Sequence, residues 1–454
     1  MTRTLPQLAS ELDTTWLVVS AVLVMFMQAG FACLEIGFSR GKNAGTVVAK
    51  ILLNFSIASL AWWMVGFGLA FGGGAWLMGD SGFFLSVGHR ISAGSPIPGP
   101  FDAADSGYVF FQLVFCAVSL AIVWGTTLER IRFVAYPIYA TIFAALIYPL
   151  VAHWIFGGGW LDRLGDGMQD FAGSTVVHLT GATGGLAALL LLGPRRGKYG
   201  PGRTPRAIPG HSMPIFGLGV LILWLGWFGF NAGSTIGTGG SRFAEIALVT
   251  NLAAAAGVVG ASLAITAISG RLDIGMVGNG AIGALVAITA PCGFVELWAA
   301  PVIGLVAGAL VVVSVLAIDR VLDDPVGALS AHGAAGVWGT LACGLFAAPR
   351  IVDEPGVPGD AGLVYSGSFE QLGVQAVGVL SAFALVFALS YLTFAVIKAT
   401  TGLRVTEVEE REGLDIVEHG MYGYPEQFMG GSELADGVGL SGDAVPPGSP
   451  SVAR

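Results

Sequence analysis

DFAGSTVVHLTGATGG (170–185) and DPVGALSAHGAAGVWG (324–339) are two apolar stretches with one spacing. An aspartate opens each (Asp170, Asp324), a glycine follows by three (Gly173, Gly327), and a histidine follows by eight (His178, His332). Another glycine stands seven residues beyond each histidine (Gly185, Gly339). An ionisable side chain inside lipid is costly, so one found in an apolar stretch marks a functional site. Two in matching positions of two halves predict a repeated transporter or channel whose pathway runs between the repeats.

The surrounding composition agrees. The chain is 54% hydrophobic and 11% charged, with a mean hydropathy of +0.76; a soluble domain carries about 25% charged residues. This predicts an all-α integral membrane protein. The 69 glycines fit close packing of small residues between membrane helices. From Thr401 onward there are three basic and ten acidic residues, −7 of the net −9. The tail therefore reads as a separate soluble element, and binding of nucleic acid has no support. The four cysteines lie in or beside apolar stretches without a CxxC pair, which reads as packing rather than disulfides or metal ligation. No basic n-region precedes the first apolar run, so no cleavable signal peptide is expected.

Segments near the ~20-residue spanning length fall at 15–38, 47–72, 107–128, 131–156, 171–192, 213–235, 243–268, 274–290, 294–318, 328–348 and 371–399, an expectation of eleven helices. With the C-terminus inside, 16 of the 21 Lys and Arg residues fall on inner segments and 5 on outer ones, which selects N-out/C-in. Residues 1–14 are then a short extracytoplasmic N-terminus, 15–400 the transmembrane domain and 401–454 a cytoplasmic tail. In that orientation the fifth span runs inward and the tenth outward. Spans 1–5 and 6–10 form an inverted five-helix repeat, and the eleventh is extra. Eight residues of helix measure about 12 Å, so His178 and His332 are expected to meet near mid-membrane from opposite sides. Each aspartate is read first as a helix cap and second as a source of negative potential.

These residues resemble the ammonium transporter (Amt/Mep/Rh) family, on the Amt side. The 170–179 string carries the likeness, together with MQAGFACLEIGFSRGKN (27–43), LERIRF (128–133), LGWFGFNAGS (225–234) and TGLRVTEVEEREGLDIVEHG (401–420). The resemblance implies an eleven-helix protomer in a homotrimer, one pore per subunit, transport of ammonium and methylammonium across the cytoplasmic membrane, no cofactor, and an inner face able to take a PII signal-transduction protein. It also implies an outer capture site of Phe115, Ser234 and the aromatic before the Gly157-Gly158-Gly159 turn. That aromatic is commonly Trp in the family and is Phe156 here, with Trp154 and Trp160 nearby. Phe115 and Phe230 resemble a stacked gate, with Phe111 one turn away and Trp227 near the histidines.

The chemistry has its own logic. An apolar pore excludes hydrated cations because removing their water is expensive, and desolvation disfavours a charged amine. Ammonium can therefore be held at the entrance, lose a proton and continue as ammonia, whereas sodium and potassium have no proton to lose. Two imidazoles offer a shared donor–acceptor path; the bland alternative is two satisfied core histidines. His153 lacks a partner and reads as structural, and Glu35 in the first span is unexplained by a pore and expected to be paired near the inner end. Competing readings are an ammonium sensor of the same fold, conduction of another small neutral gas, and a membrane metalloenzyme, for which neither HExxH nor HxxxH occurs.

Overall fold

Thr4 starts the first helix well before the apolar run at 15. Its side chain accepts from Gln7 N–H while the Gln7 side chain returns to the Thr4 backbone, a capping box with Pro6 in the first turn. The apolar run from 15 did not reveal this start, because Leu5, Leu8 and Leu12 are separated by polar and charged residues and lie exposed, outside the buried core. The structure, a computed structural model, describes residues 3–85 and 103–429. The middle of the expected outer loop, with His89, and the Gly/Ser/Pro-rich end of the tail from 430 lie outside the described residues.

The principal helices are α1 (Leu5–Phe38), α2 (Gly41–Phe71), α3 (Ala103–Gly125), α4 (Ala135–Phe156), α5 (Ser174–Leu192), α6 (Met213–Thr235), α7 (Gly239–Ser269), α8 (Ile274–Thr289), α9 (Ala299–Ile318), α10 (329–346) and α11 (Glu370–Thr400). Among the described residues there is no β-strand, only isolated bridges. Among the described residues, nine of these helices are long and apolar enough to cross a membrane by length and composition. The nine exclude α8, apolar but shorter, and α10, which carries His332.

Packing partners recur at an interval of five helices. α1 packs on α3 as α6 does on α8, α2 on α4 as α7 on α9, and α3 on α5 as α8 on α10. The two sets join where α1 crosses α6 and where α5 meets α10, and α11 lies along both α5 and α10. Small residues permit the tightest crossings: a Cβ at Gly304 would lie 2.0 Å from Ala253 O, and one at Gly260 2.3 Å from Leu305 O.

After α11 the chain turns back over one face of the bundle, the tail side. Val405 N–H donates to Arg130 O (3.0 Å) and Arg132 N–H to Leu403 O (3.0 Å). The helices α12 (Glu407–Glu412) and α13 (Leu414–His419) dock beside the start of α2, where Asp415 accepts from Gly45 N–H (2.9 Å) and Thr46 N–H (2.8 Å). Beneath the tail lies a buried ion network. Arg195 meets both Asp323 oxygens at 2.9 Å, and Arg40 donates to Glu129 from its backbone and its side chain (both 2.7 Å). Arg130 donates to the carbonyls of Leu128, Gly193 and Asp323.

Candidate functional site

Asp170 organises the start of α5. One of its oxygens accepts from Gly173 N–H (2.9 Å) and Ser174 N–H (2.8 Å), the other from Thr175 N–H (2.9 Å) and Val176 N–H (3.0 Å). A helix N-terminus leaves four such donors without intrahelical partners, and this carboxylate takes four. To wrap around it the backbone passes through φ +119° at Gly173, where a Cβ would also lie 2.6 Å from Val177 Cγ2. Glycine is required there. The helix therefore begins at Ser174, and His178 sits in an opening π turn, Ser174–Leu179, with its N–H donating to Gly173 O (3.1 Å). The expected two turns of α-helix between aspartate and histidine are not formed, because the left-handed glycine interrupts them.

The second stretch repeats the device. Asp324 accepts from Leu329 N–H (2.7 Å), Gly327 has φ +75°, and His332 lies in the π turn Leu329–Ala334 that opens α10. π turns are rare and concentrate at functional sites. Side chains brace the pair of turns: Ser119 donates to Val177 O (2.7 Å), Ser174 to Val286 O (2.7 Å), and Thr175 shares a 2.6 Å hydrogen bond with Thr340 on α10.

The turns bring the histidines together, Nδ1 to Nδ1 at 3.3 Å, with rings stacked 5.3 Å apart. One of the two nitrogens donates and the other accepts, so a single proton is shared. The rings on the side away from the tail continue the stack. His178 lies 5.3 Å from the Trp227 ring and 5.4 Å from Phe230, and Phe230 stacks on Phe115 at 4.0 Å. Phe111 follows, 4.5 Å from Phe115. Beyond it opens a cavity of ≈ 500 Å³ lined by Phe111, Phe115, Phe156, Ser234 and Asp170 among others. We call this the vestibule side.

Six of the sequence-predicted aromatic and hydroxyl residues thus fall in one place, in two layers. Phe115, Phe156 and Ser234 line the vestibule, and Ser234 Oγ donates to Phe230 O (2.8 Å). Trp227 lies deeper, beside His178, its indole N–H donating to Thr289 Oγ1 (2.9 Å). Trp154 and Trp160 are not among the vestibule's lining residues; they pack on one another at 5.6 Å, and Trp154 donates to Leu77 O. His153 lies off the line, its ring nitrogens each 2.9 Å from a carbonyl, Ala70 O and Ala75 O.

On the tail side of the histidines stands Glu35, which sequence reasoning expected to be paired, among neighbours that it passed over. Phe31 on α1 faces His332 at 6.3 Å between ring centroids. A small cavity of ≈ 20 Å³ follows, lined by Phe31, Glu35, Asn279, Val326 and His332. Glu35 and Lys50 form a buried ion pair there. Phe31 had no signal beyond an aromatic in an apolar run, but a glutamate in such a run is itself a signal. Among the described residues no group of three or more His, Cys, Asp or Glu side chains is placed to hold a metal ion.

Comparison with known proteins extends this. Residues 15–424 match the model of the Ammonium Transporter Family. The chain is 44% identical over 438 residues to the ammonium transporter Amt2 of Archaeoglobus fulgidus, covering 93% of this chain and 90% of that protein. Among solved structures it is similar to one titled "Sensor Amt Protein", with a TM-score of 0.82 at 35% identity, covering 91% of this chain and all of that one. It is also similar to Mep2 of Candida albicans, with a TM-score of 0.79 at 28% identity, covering 88% and 87% of the two chains. With apolar helices in this number and a match of this extent, the chain is a multi-pass membrane protein and belongs to the ammonium transporter family, whose members are transporters and not enzymes.

Proposed function

We propose that the protein carries ammonium, and methylammonium with it, across the cytoplasmic membrane. Its eleven helices α1–α11 then span the bilayer N-out/C-in as two inverted five-helix halves plus α11, and three copies assemble with one pore each. The vestibule side is outer and the tail side inner. Clustering of Arg40, Lys42, Arg130, Arg132, Arg195, Arg196, Lys198 and Arg404 around the docked tail supports that orientation. The inner face, with its tail from 401, is where a PII protein would bind; pull-down with the host's PII, with ADP or with 2-oxoglutarate, tests it.

The observation that carries the reading is the unbroken line from vestibule to histidines. Ammonium is captured where the faces of Phe115 and Phe156 attract a cation. Ser234 contributes by orientation: its proton is committed to Phe230 O, so it presents lone pairs and selects a donor such as an N–H. Stacked Phe115 and Phe230, with Phe111 above, close the path to anything hydrated. Passage requires the rings to part and the amine to shed water, which favours loss of its proton. Ammonia then meets an apolar channel whose polar centre is the imidazole pair. Proteoliposomes should take up ammonium and methylammonium and exclude sodium and potassium; equal permeability to potassium and ammonium would sink the proposal.

A second reading is favoured by one observation, the 0.82 TM-score to a structure titled as a sensor over its whole length. In that reading the same vestibule binds ammonium and the docked tail reports it with little flux. The uptake assay separates the two, since a sensor binds without filling the vesicles.

A further inference from the structure

The tail side of the pore holds a carboxylate that the transport path leaves unused. Glu35 follows Phe31 by one helical turn of α1, about 6 Å along the axis, and Phe31 faces His332. Glu35 is 1% exposed and pairs with Lys50, which is fully buried. Other groups hold the lysine as well: its ammonium donates to Trp124 O (3.3 Å) and lies 6.0 Å from the centre of the Tyr136 ring. Glu35 Oε1, by contrast, makes no hydrogen bond among the described residues. Glu35 and His332 line the same cavity of ≈ 20 Å³, room for about one water molecule.

Fold stability does not account for this pair. Moving two charges out of water costs several kcal/mol per ion, and apolar residues of similar volume commonly serve stability as well or better. A carboxylate with an oxygen left unbonded, in the wall of a one-water cavity that the last imidazole of a shared-proton pair also lines, has the placement of a proton acceptor.

We propose that Glu35 receives the proton that leaves His332 on the tail side, with Lys50 keeping the carboxylate ionised between transfers. The inference rests on the transport reading above. In the step, an imidazolium N–H bond breaks and a carboxyl O–H bond forms, directly or across one water. A neutral imidazole, a neutral carboxyl group and the Lys50 ammonium remain. Ammonia reaching the cavity then takes the proton from Glu35, which restores the carboxylate and makes ammonium the species released. Deprotonation at the vestibule and reprotonation here conserve the proton, so one positive charge crosses with each substrate.

The test is current after an ammonium jump, recorded from proteoliposomes on a solid-supported membrane, set beside uptake of labelled methylammonium. Glu35→Gln keeps the shape and removes the acceptor. Because it also strands Lys50, the double variant Glu35→Gln/Lys50→Met, which removes both charges, is measured with it and compared by oligomer size and thermal midpoint. Current per assembled transporter should fall about a hundredfold, the low end of what a positioned proton-transfer group contributes, and charge moved per methylammonium should fall with it. A wild-type ratio of current to uptake in either folded variant overturns the proposal. So does uptake without current in the unmodified protein, which leaves the transport reading standing; absence of uptake removes that reading itself.

Discussion

The two histidine turns are built alike and surrounded differently. Each has an aspartate, a left-handed glycine and a π turn. Asp170 accepts from four backbone N–H groups, preceded by Gln169, which sits in a web of amides with Gln371 and Gln375. Asp324 is preceded by Asp323, anchored in the ion network with Arg195 and Arg130. On the vestibule side His178 is walled by Trp227 and Phe230 beneath a cavity of ≈ 500 Å³. On the tail side His332 meets Phe31 and a cavity of ≈ 20 Å³ with a carboxylate in its wall. A duplicated motif sets where two imidazoles stand; the neighbours, which are not duplicated, make one end wide and aromatic and the other narrow and ionisable. In the proposed pore, directionality is a property of the flanks.

The comparison breaks most visibly at the histidines. His178→Ala and His332→Ala should each change the charge moved per methylammonium or the selectivity against potassium, while the proposed trimer still assembles. Each removes the other imidazole's only ring partner for the shared proton, and an unpartnered buried polar group costs about 1–3 kcal/mol. Wild-type current and uptake in both folded variants would reduce the pair to packing.

Next come the aspartates. Asparagine keeps one acceptor oxygen and presents an NH₂ donor in place of the other. Asp170→Asn therefore strands about two backbone donors, a loss on the order of 3 kcal/mol. Asp324→Asn can keep its oxygen toward Leu329 and should lose about 1 kcal/mol. Thermal unfolding of the purified proteins in detergent reads both, and equal losses would mean that the two turns are energetically interchangeable.

The residues just before those aspartates sharpen the contrast through pH. Burial pushes the Asp323 carboxyl up, but its hydrogen bond to Arg195 and the charges of Arg130 and Arg195 outweigh this and hold it at about 2. Its folded value lies below the ordinary carboxylate value near ~3.9. It therefore adds stability above that pH, roughly 2–3 kcal/mol, lost as pH falls through about 2. Asp323→Asn should lower the unfolding midpoint at pH 7 and converge on the unmodified protein near pH 2, whereas Gln169→Glu should confer no such acid-sensitive gain. Parallel pH profiles for Asp323→Asn and the unmodified protein would show that the network contributes nothing through ionisation.

The smallest effect is expected at the vestibule wall. Phe156→Trp offers a stronger cation–π face, worth about 0.5–1 kcal/mol where solvent reaches. It should lower the half-saturating ammonium concentration about two- to fivefold and slow release. An unchanged concentration dependence would remove Phe156 from the capture site.

Much of this was legible in the chain itself. The spacing in 170–185 and 324–339 pairs His178 with His332, and low charge with long apolar runs makes the protein a membrane protein. Those are local or periodic properties, and a bilayer enforces them on any chain of this composition. Tertiary structure alone decided the rest. The π turns and the onset of α5 at Ser174 depend on which backbone donors Asp170 collects once the chain has bent at Gly173. Phe156, rather than Trp154 or Trp160, lines the vestibule because those tryptophans are spent on each other and on Leu77 O. The tail's acidic composition sets it apart from the body, and over 401–429 it docks on the loops of its own chain; which groups hold it there, Arg130, Lys42 and the start of α2, is decided by the fold. Glu35 shows the boundary most plainly. Sequence marks a carboxylate in an apolar helix as costly, but only packing places it beside Lys50 and in the wall of the cavity that His332 also lines, because a contact between distant segments exists only when the helices that carry them are in place.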